Sequence, residues 1–246
     1  MKRLSDLEWA QLALDYPYER PADSFAFCDG EVLPLHAVPW TPDDRVAVIA
    51  YGSNRAPSVL RRKYDGCKGM IVPTVRADLK GFDVVYAAFV STLGPVPATL
   101  LPQAQAVVGV AVQFFLPEQL EQMHESEGLG VSYGFAPVDP GALAMDGVRV
   151  RQCFFYYSLH GALQNDGRPV SLAEAPCRGR CFPALNQRDV QAVVQRRMGY
   201  RRSTEDFLLE TISCVELRRE RIALLKADAI LYRPGAEMDE TVLKGC

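Results

Sequence analysis

The chain has 246 residues, 48% of them hydrophobic and 23% charged, with a net charge of −3, a composition that allows a sizeable buried core and gives no electrostatic basis for a nucleic-acid or membrane-surface partner. No run of about 18 apolar residues is present, and the start MKRLSDLEW is too acidic and too poor in apolar residues for a signal peptide, so a cytoplasmic protein is expected. The seven cysteines (28, 67, 153, 177, 181, 214 and 246) are odd in number and scattered, which fits reduced thiols rather than a disulfide framework.

Residues 3–16 place Leu4, Leu7, Leu12 and Leu14 among acidic and amide side chains, a weakly amphipathic helix that Pro17 ends. The span 18–44 carries four prolines and no periodicity, and reads as an arm. At 46–50 an apolar run breaks at Tyr51-Gly52-Ser53-Asn54, and Pro57 is suited to the first turn of a helix. A strand, a tight loop and a helix N-terminus in succession aim backbone N–H groups and a helix dipole at one point, which can hold a carboxylate, a phosphate or an oxyanion. The same residues also suit an ordinary turn between strand and helix.

Four apolar runs follow, at 70–75, 82–90, 98–101 and 106–116, separated by Gly and Pro and read as strands. A helix is expected from Pro117. On its 3.6-residue period Leu116, Leu120, Met123 and Glu127 share one stripe, with Glu118, Glu121, Gln122 and Glu125 largely opposite. A carboxylate on an apolar face near a helix end, where Gly128 stops the helix, suits general acid/base work; it equally suits pairing with an arginine or capping of a turn. Glu125 reads as a solvated charge. His124 lacks a Ser or Cys partner at a recognisable motif, and Tyr133 is placed either to lean a hydroxyl over Glu127 or to fill core. Residues 135–138 and 148–159 read as strands, 185–197 and 204–214 as helices, the second capped by Ser203, and 215–231 as helix or strand. Cys177 and Cys181 lack the second pair or nearby histidine of a zinc site.

The order of AYGSN, PATL, VVGVAVQFFL and a helix ending MHESEG, with a tyrosine soon after, resembles the gamma-glutamylcyclotransferase family across residues 46–159. The resemblance implies an α+β fold, a mixed β-barrel-like core with flanking helices at 45–160. To this are added an N-terminal helix and Pro-rich arm at 1–44 and a helical C-terminal extension at 161–246. It implies conversion of a gamma-glutamyl amide to 5-oxoproline and the free amine without metal or cofactor, with Glu127 as acid/base. Tyr51, Gly52, Ser53 and Asn54 would cradle the glutamyl group, and Tyr133 and a tyrosine of the 154–157 aromatic run would line the pocket. Strand parity leaves Tyr156 and Tyr157 open, and Tyr157 is expected in the pocket. Arg55 departs from the family pattern; as a cation beside the loop it either recruits a carboxylate-bearing substrate, the role expected here, or points to solvent. Amide hydrolysis or acyl transfer at the same site, and a non-catalytic module that binds a small acid, are the alternatives. The expected partner is a small-molecule amide; the oligomeric state is not readable.

Overall fold

The computed structural model describes residues 5–235, so Leu4, Cys246 and the end of the expected C-terminal extension lie outside the described residues. Helix α1 (Asp6–Leu14) starts at Ser5, whose hydroxyl accepts from the Glu8 N–H while the Glu8 carboxylate accepts from the Ser5 N–H. This reciprocal cap satisfies two donors that a helix start otherwise leaves open. The stretch expected to be an arm then forms β1 (Phe25–Cys28) and β2 (Glu31–Pro34), which pair with each other, and β1 also pairs antiparallel with residues 71–74.

Strand β3 (Val46–Ala50) leads through the Tyr51–Asn54 loop into α2 (Pro57–Lys63). The four runs that follow are not four short strands. They are two long ones, β4 (Ile71–Tyr86) and β5 (Ala98–Phe115), paired antiparallel with a register shift between Lys80 and Phe82. Gly81, at φ 80°, makes that shift possible, since a bulge takes a left-handed residue without ending the strand. Helix α3 (Pro117–Glu127) opens with a proline in its first turn and stops at left-handed Gly128.

Next come β6 (Tyr133–Val138), β7 (Leu143–Met145) and β8 (Cys153–Ser158). The extension beyond residue 160 is not helical throughout: it begins with the short strands β9 (Gln164–Asn165), β10 (Arg168–Pro169), β11 (Ser171–Leu172), β12 (Cys177–Arg178) and β13 (Ala184–Leu185). Helices α4 (Gln187–Arg197), α5 (Thr204–Ser213) and α6 (Val215–Lys226) follow, with Ser203 capping α5 as expected.

The architecture is α+β. One mixed sheet runs β13-β11-β4-β5-β3-β8-β6, with β3 and β8 parallel next to the β6 edge, and among the described residues no pairing joins its two ends. The β structure is therefore an open sheet and not the barrel-like closure that the resemblance implied. Alternation along β3 sends Ala47 and Ile49 to one core cluster and Val48 to another. The first cluster is covered by α4–α6 through Val190, Val194, Phe207 and Leu225, the second by α2 and α3 through Leu60 and Met123. A strand buried on both faces reads as a continuous apolar run, which is why residues 46–50 carry no polar alternation. The β3–β8 side of the sheet and the helices on either face place the end of β3 and the end of α3 side by side, where the candidate site lies.

Cys28, Cys67, Cys153, Cys177 and Cys214 are free thiols, but Cys181 is disulfide-bonded, which corrects the expectation of reduced cysteines throughout. No helix among the described residues is long and apolar enough to cross a membrane.

Candidate active site

The loop after β3 does not pass directly into a helix. A turn of 3-10 helix (Ser53–Arg55) intervenes, and it directs the N–H groups of Arg55 and Ala56 to the carbonyls of Gly52 (3.3 Å) and Ser53 (2.9 Å). With the Ser53 N–H facing the Tyr16 hydroxyl as well, the amides of Gly52 and Asn54 are what the turn leaves for the expected anion cradle. The Asn54 carbonyl accepts from Gln113 Nε2 at 2.8 Å, which pins the turn to β5. Its side-chain Nδ2 donates to Glu127 Oε1 at 3.0 Å, and its Oδ1 is buried with no protein partner.

Gly52 must be glycine. A Cβ there would come within 2.6 Å of the Tyr16 hydroxyl, which accepts from the Ala98 N–H at 2.7 Å and also faces the Ser53 N–H. Gly52→Ala is expected to push Tyr16 off Ala98 and destabilise the protein by about 1–3 kcal/mol, the usual range for inserting a methyl into packed structure. Urea unfolding reads the effect, and an unchanged midpoint would show that the ring moves freely.

Glu127 ends α3 with its side chain 13% exposed, and Lys63, the last residue of α2, meets Oε1 through its ammonium while itself only 11% exposed. Of the two sequence readings of Glu127, general acid/base and paired charge, the geometry shows the pairing, with a lysine rather than an arginine, on a carboxylate that lines the cavity. Lys63 escaped the sequence reading because it follows Arg61 and Arg62. In the fold Arg61 is spent on the Gly30 carbonyl and Arg62 lies beside Tyr18, so only the third cation of the run reaches Glu127.

Tyr16, Tyr51, Asn54, Lys63, Glu127 and Tyr133 line a cavity of about 470 Å³, a volume suited to a small molecule. The phenols form its walls and clamp its backbone. Tyr51 donates to the Tyr156 carbonyl at 2.7 Å, and Tyr133 donates to the Ala98 carbonyl at 2.9 Å, so the Tyr133 hydroxyl is held by backbone and does not lean over Glu127. Burial holds Tyr16, Tyr51, Tyr133 and Tyr156 above the ordinary phenol range, with the Glu127 charge acting in the same direction on each. They stay protonated at any working pH and serve as walls and donors, not bases.

Two expected contacts are corrected. Tyr156 lines the cavity and hydrogen-bonds His124 Nδ1 at 2.7 Å, whereas Tyr157 packs over Gly134 on the other face, where a Cβ would come within 2.2 Å of its ring carbon. Adjacent strand residues face opposite ways, and this strand's parity selects Tyr156. Arg55 also points away. Successive residues of a 3-10 turn diverge by about 120°, so Asn54 faces Glu127 while Arg55 donates to the Gly109 carbonyl at 3.0 Å and lines a different cavity. Tyr16, from the segment just after α1, is not legible as a site residue, because its place depends on the N-terminal segment folding back onto the loop. No group of three or more His, Cys, Asp or Glu side chains among the described residues is arranged to hold a metal ion.

No protein-family model and no curated protein matches the sequence. Solved structures do. The chain resembles a solved gamma-glutamyl cyclotransferase. Identity is 16%, the TM-score is 0.39, and the match covers 81% of this chain and 96% of that one. A human protein described as uncharacterized is similar at 16% identity and a TM-score of 0.40, over 82% and 98% of the two chains. A protein from Arabidopsis thaliana is similar at 19% identity and a TM-score of 0.37, over 49% of this chain and 74% of its own.

Proposed function

We propose that this chain is a cytoplasmic enzyme that cleaves a gamma-glutamyl amide by internal cyclisation, releasing 5-oxoproline and the free amine. One observation carries the reading: the loop after β3 delivers the Asn54 amide onto Glu127 at 3.0 Å in the wall of a cavity of small-molecule size. A carboxylate held there by Asn54 and Lys63 is oriented rather than free to rotate, as a positioned proton acceptor requires.

In the proposed reaction the α-amine of the substrate attacks its own γ-carbonyl, and Glu127 takes the proton that the amine sheds. The oxyanion that forms is held by the loop amides, and protonated Glu127 returns its proton to the leaving amine as the C–N bond breaks. Because nucleophile and carbonyl belong to one molecule, positioning contributes about 7 kcal/mol or more of the barrier reduction. Arg62, which lines the same cavity, supplies a cation for the substrate carboxylate. None of these steps calls on a cofactor.

Incubation with a panel of gamma-glutamyl amines and dipeptides, with mass-spectrometric detection of products, tests the reading. 5-Oxoproline in stoichiometric yield with the amine is the expected result. Free glutamate in its place would replace cyclisation by hydrolysis, and absence of turnover with a bound ligand at the loop would make the site a binding module.

A further inference from the structure

A second cavity, of about 840 Å³, lies beyond the 3-10 turn from the first and is lined by residues from four parts of the chain. Arg20 comes from the segment after α1, Arg55 from the turn, Arg76 from β4 and Arg178 from β12. Asp23, Asp78 and Asp146 are the carboxylates of the lining. Two of them are matched to cations at the rim: Asp78 lies 3.0 Å from Arg178, and Asp23 lies 3.9 Å from Arg76 with its side chain 95% exposed. Asp146 is exposed.

Arg55 has no such match. Among the described residues it forms no ion pair, and one NH1 hydrogen bond to the Gly109 carbonyl accounts for its protein partners, although a guanidinium carries five N–H donors. Burial, with the neighbouring charges of Arg20 and Arg76, pulls its pKa down to about 9. Arg20 spends a donor on the Glu174 carbonyl and has Glu174 as its electrostatic counterweight. Setting a half-buried guanidinium that has no carboxylate of its own beside two others, each with one acidic neighbour, is unfavourable in the empty cavity and becomes favourable when an anion enters. Guanidiniums presented from three separate segments suit oxygens that point apart, as on a tetrahedral anion, better than the two coplanar oxygens of a carboxylate.

We infer that this second cavity binds the phosphoryl group of a small molecule, held by Arg55 with Arg20 and Arg76. The volume leaves room for the remainder of a phosphorylated metabolite beyond the anion itself. The site is separate from the Glu127 cavity, and its existence does not depend on the cyclisation reading. The two share the Ser53–Arg55 turn, so an anion that fixes Arg55 also fixes the residue that carries Asn54.

Isothermal titration and thermal unfolding of the full chain with inorganic phosphate, against acetate and sodium chloride at matched ionic strength, test the inference. Phosphate is expected to bind saturably and to raise Tm by about 5 °C at a hundredfold excess over Kd, with acetate and chloride producing less than a quarter of that shift. Arg55→Met is expected to weaken phosphate binding at least tenfold. Arg76→Glu, at a side chain 65% exposed and therefore tolerant of change, is expected to do the same without unfolding the chain. Glu127→Gln, in the other cavity, is expected to leave the phosphate Kd within twofold. Absence of phosphate binding, equal binding of acetate, or phosphate binding that survives Arg76→Glu unchanged would overturn the assignment.

Discussion

Glu127→Gln is expected to lower kcat/KM for 5-oxoproline formation by 10²- to 10⁴-fold, the span that a positioned general acid/base contributes. The substitution keeps the shape of the side chain and an oxygen for the Asn54 amide, and removes the capacity to accept and return a proton. It also leaves the Lys63 ammonium facing a neutral group in a site where its side chain is 11% exposed. Tm therefore has to be measured alongside the rate, so that a loss of fold is not mistaken for a loss of chemistry. A variant that retains more than a tenth of the wild-type rate would remove Glu127 from the mechanism; Glu125, the other carboxylate of the lining, meets neither Asn54 nor Lys63 among the described residues.

Local features of this fold are legible in the sequence, and contacts made across it are not. Ser203 caps α5, Pro117 opens α3 and Gly128 closes it, because each acts on backbone groups within four residues. Strands β4 and β5 read as fragments because Gly81 and Pro102, both at the register shift where Phe82 faces Pro102, look like strand ends when only the chain neighbours are considered. β1 was hidden by the prolines that flank it, since its reason to be a strand is the edge that β4 offers. The same division runs through the site. The Tyr51–Asn54 loop and Glu127 are visible because each marks an element end. Lys63 and Tyr16 become site residues only when α2 and the segment after α1 are brought to the loop. Tyr157 and Arg55 were misassigned for a narrower reason: a shift of one residue reverses a strand face or turns a 3-10 side chain by about 120°, and composition carries no record of which phase is used.

Asp83→Ala is expected to cost about 3–5 kcal/mol, the cost of breaking a buried ion pair by deleting one partner, and to lower Tm by about 10 °C in a chain of this length. Asp83 is fully buried in β4, and every oxygen is used. Oδ1 accepts from the Val84 N–H (2.8 Å) and Arg180 NH2 (2.9 Å), and Oδ2 accepts from Ser171 Oγ (2.6 Å) and Arg180 Nε (2.9 Å). Arg180, 14% exposed, also donates to the Ala175 carbonyl at 2.8 Å, so one carboxylate ties β4 to β11 and to the loop after β12. Removing it strands a guanidinium against the sheet and opens the junction through which the short strands join β4. Asp83→Asn should be nearly as damaging, since its NH2 would face donors from Arg180 or Ser171 and could accept from neither. Asp83→Leu combined with Arg180→Met should recover much of the loss, because a well-packed apolar pair can replace a buried ion pair at little net cost. Since Asp83 does not line the Glu127 cavity, kcat/KM measured well below the lowered Tm is expected to stay within twofold of wild type. A Tm change under 3 °C for Asp83→Ala would mean that water or a rearranged Arg180 replaces the carboxylate, and that the junction between β4 and β11 rests on backbone pairing alone.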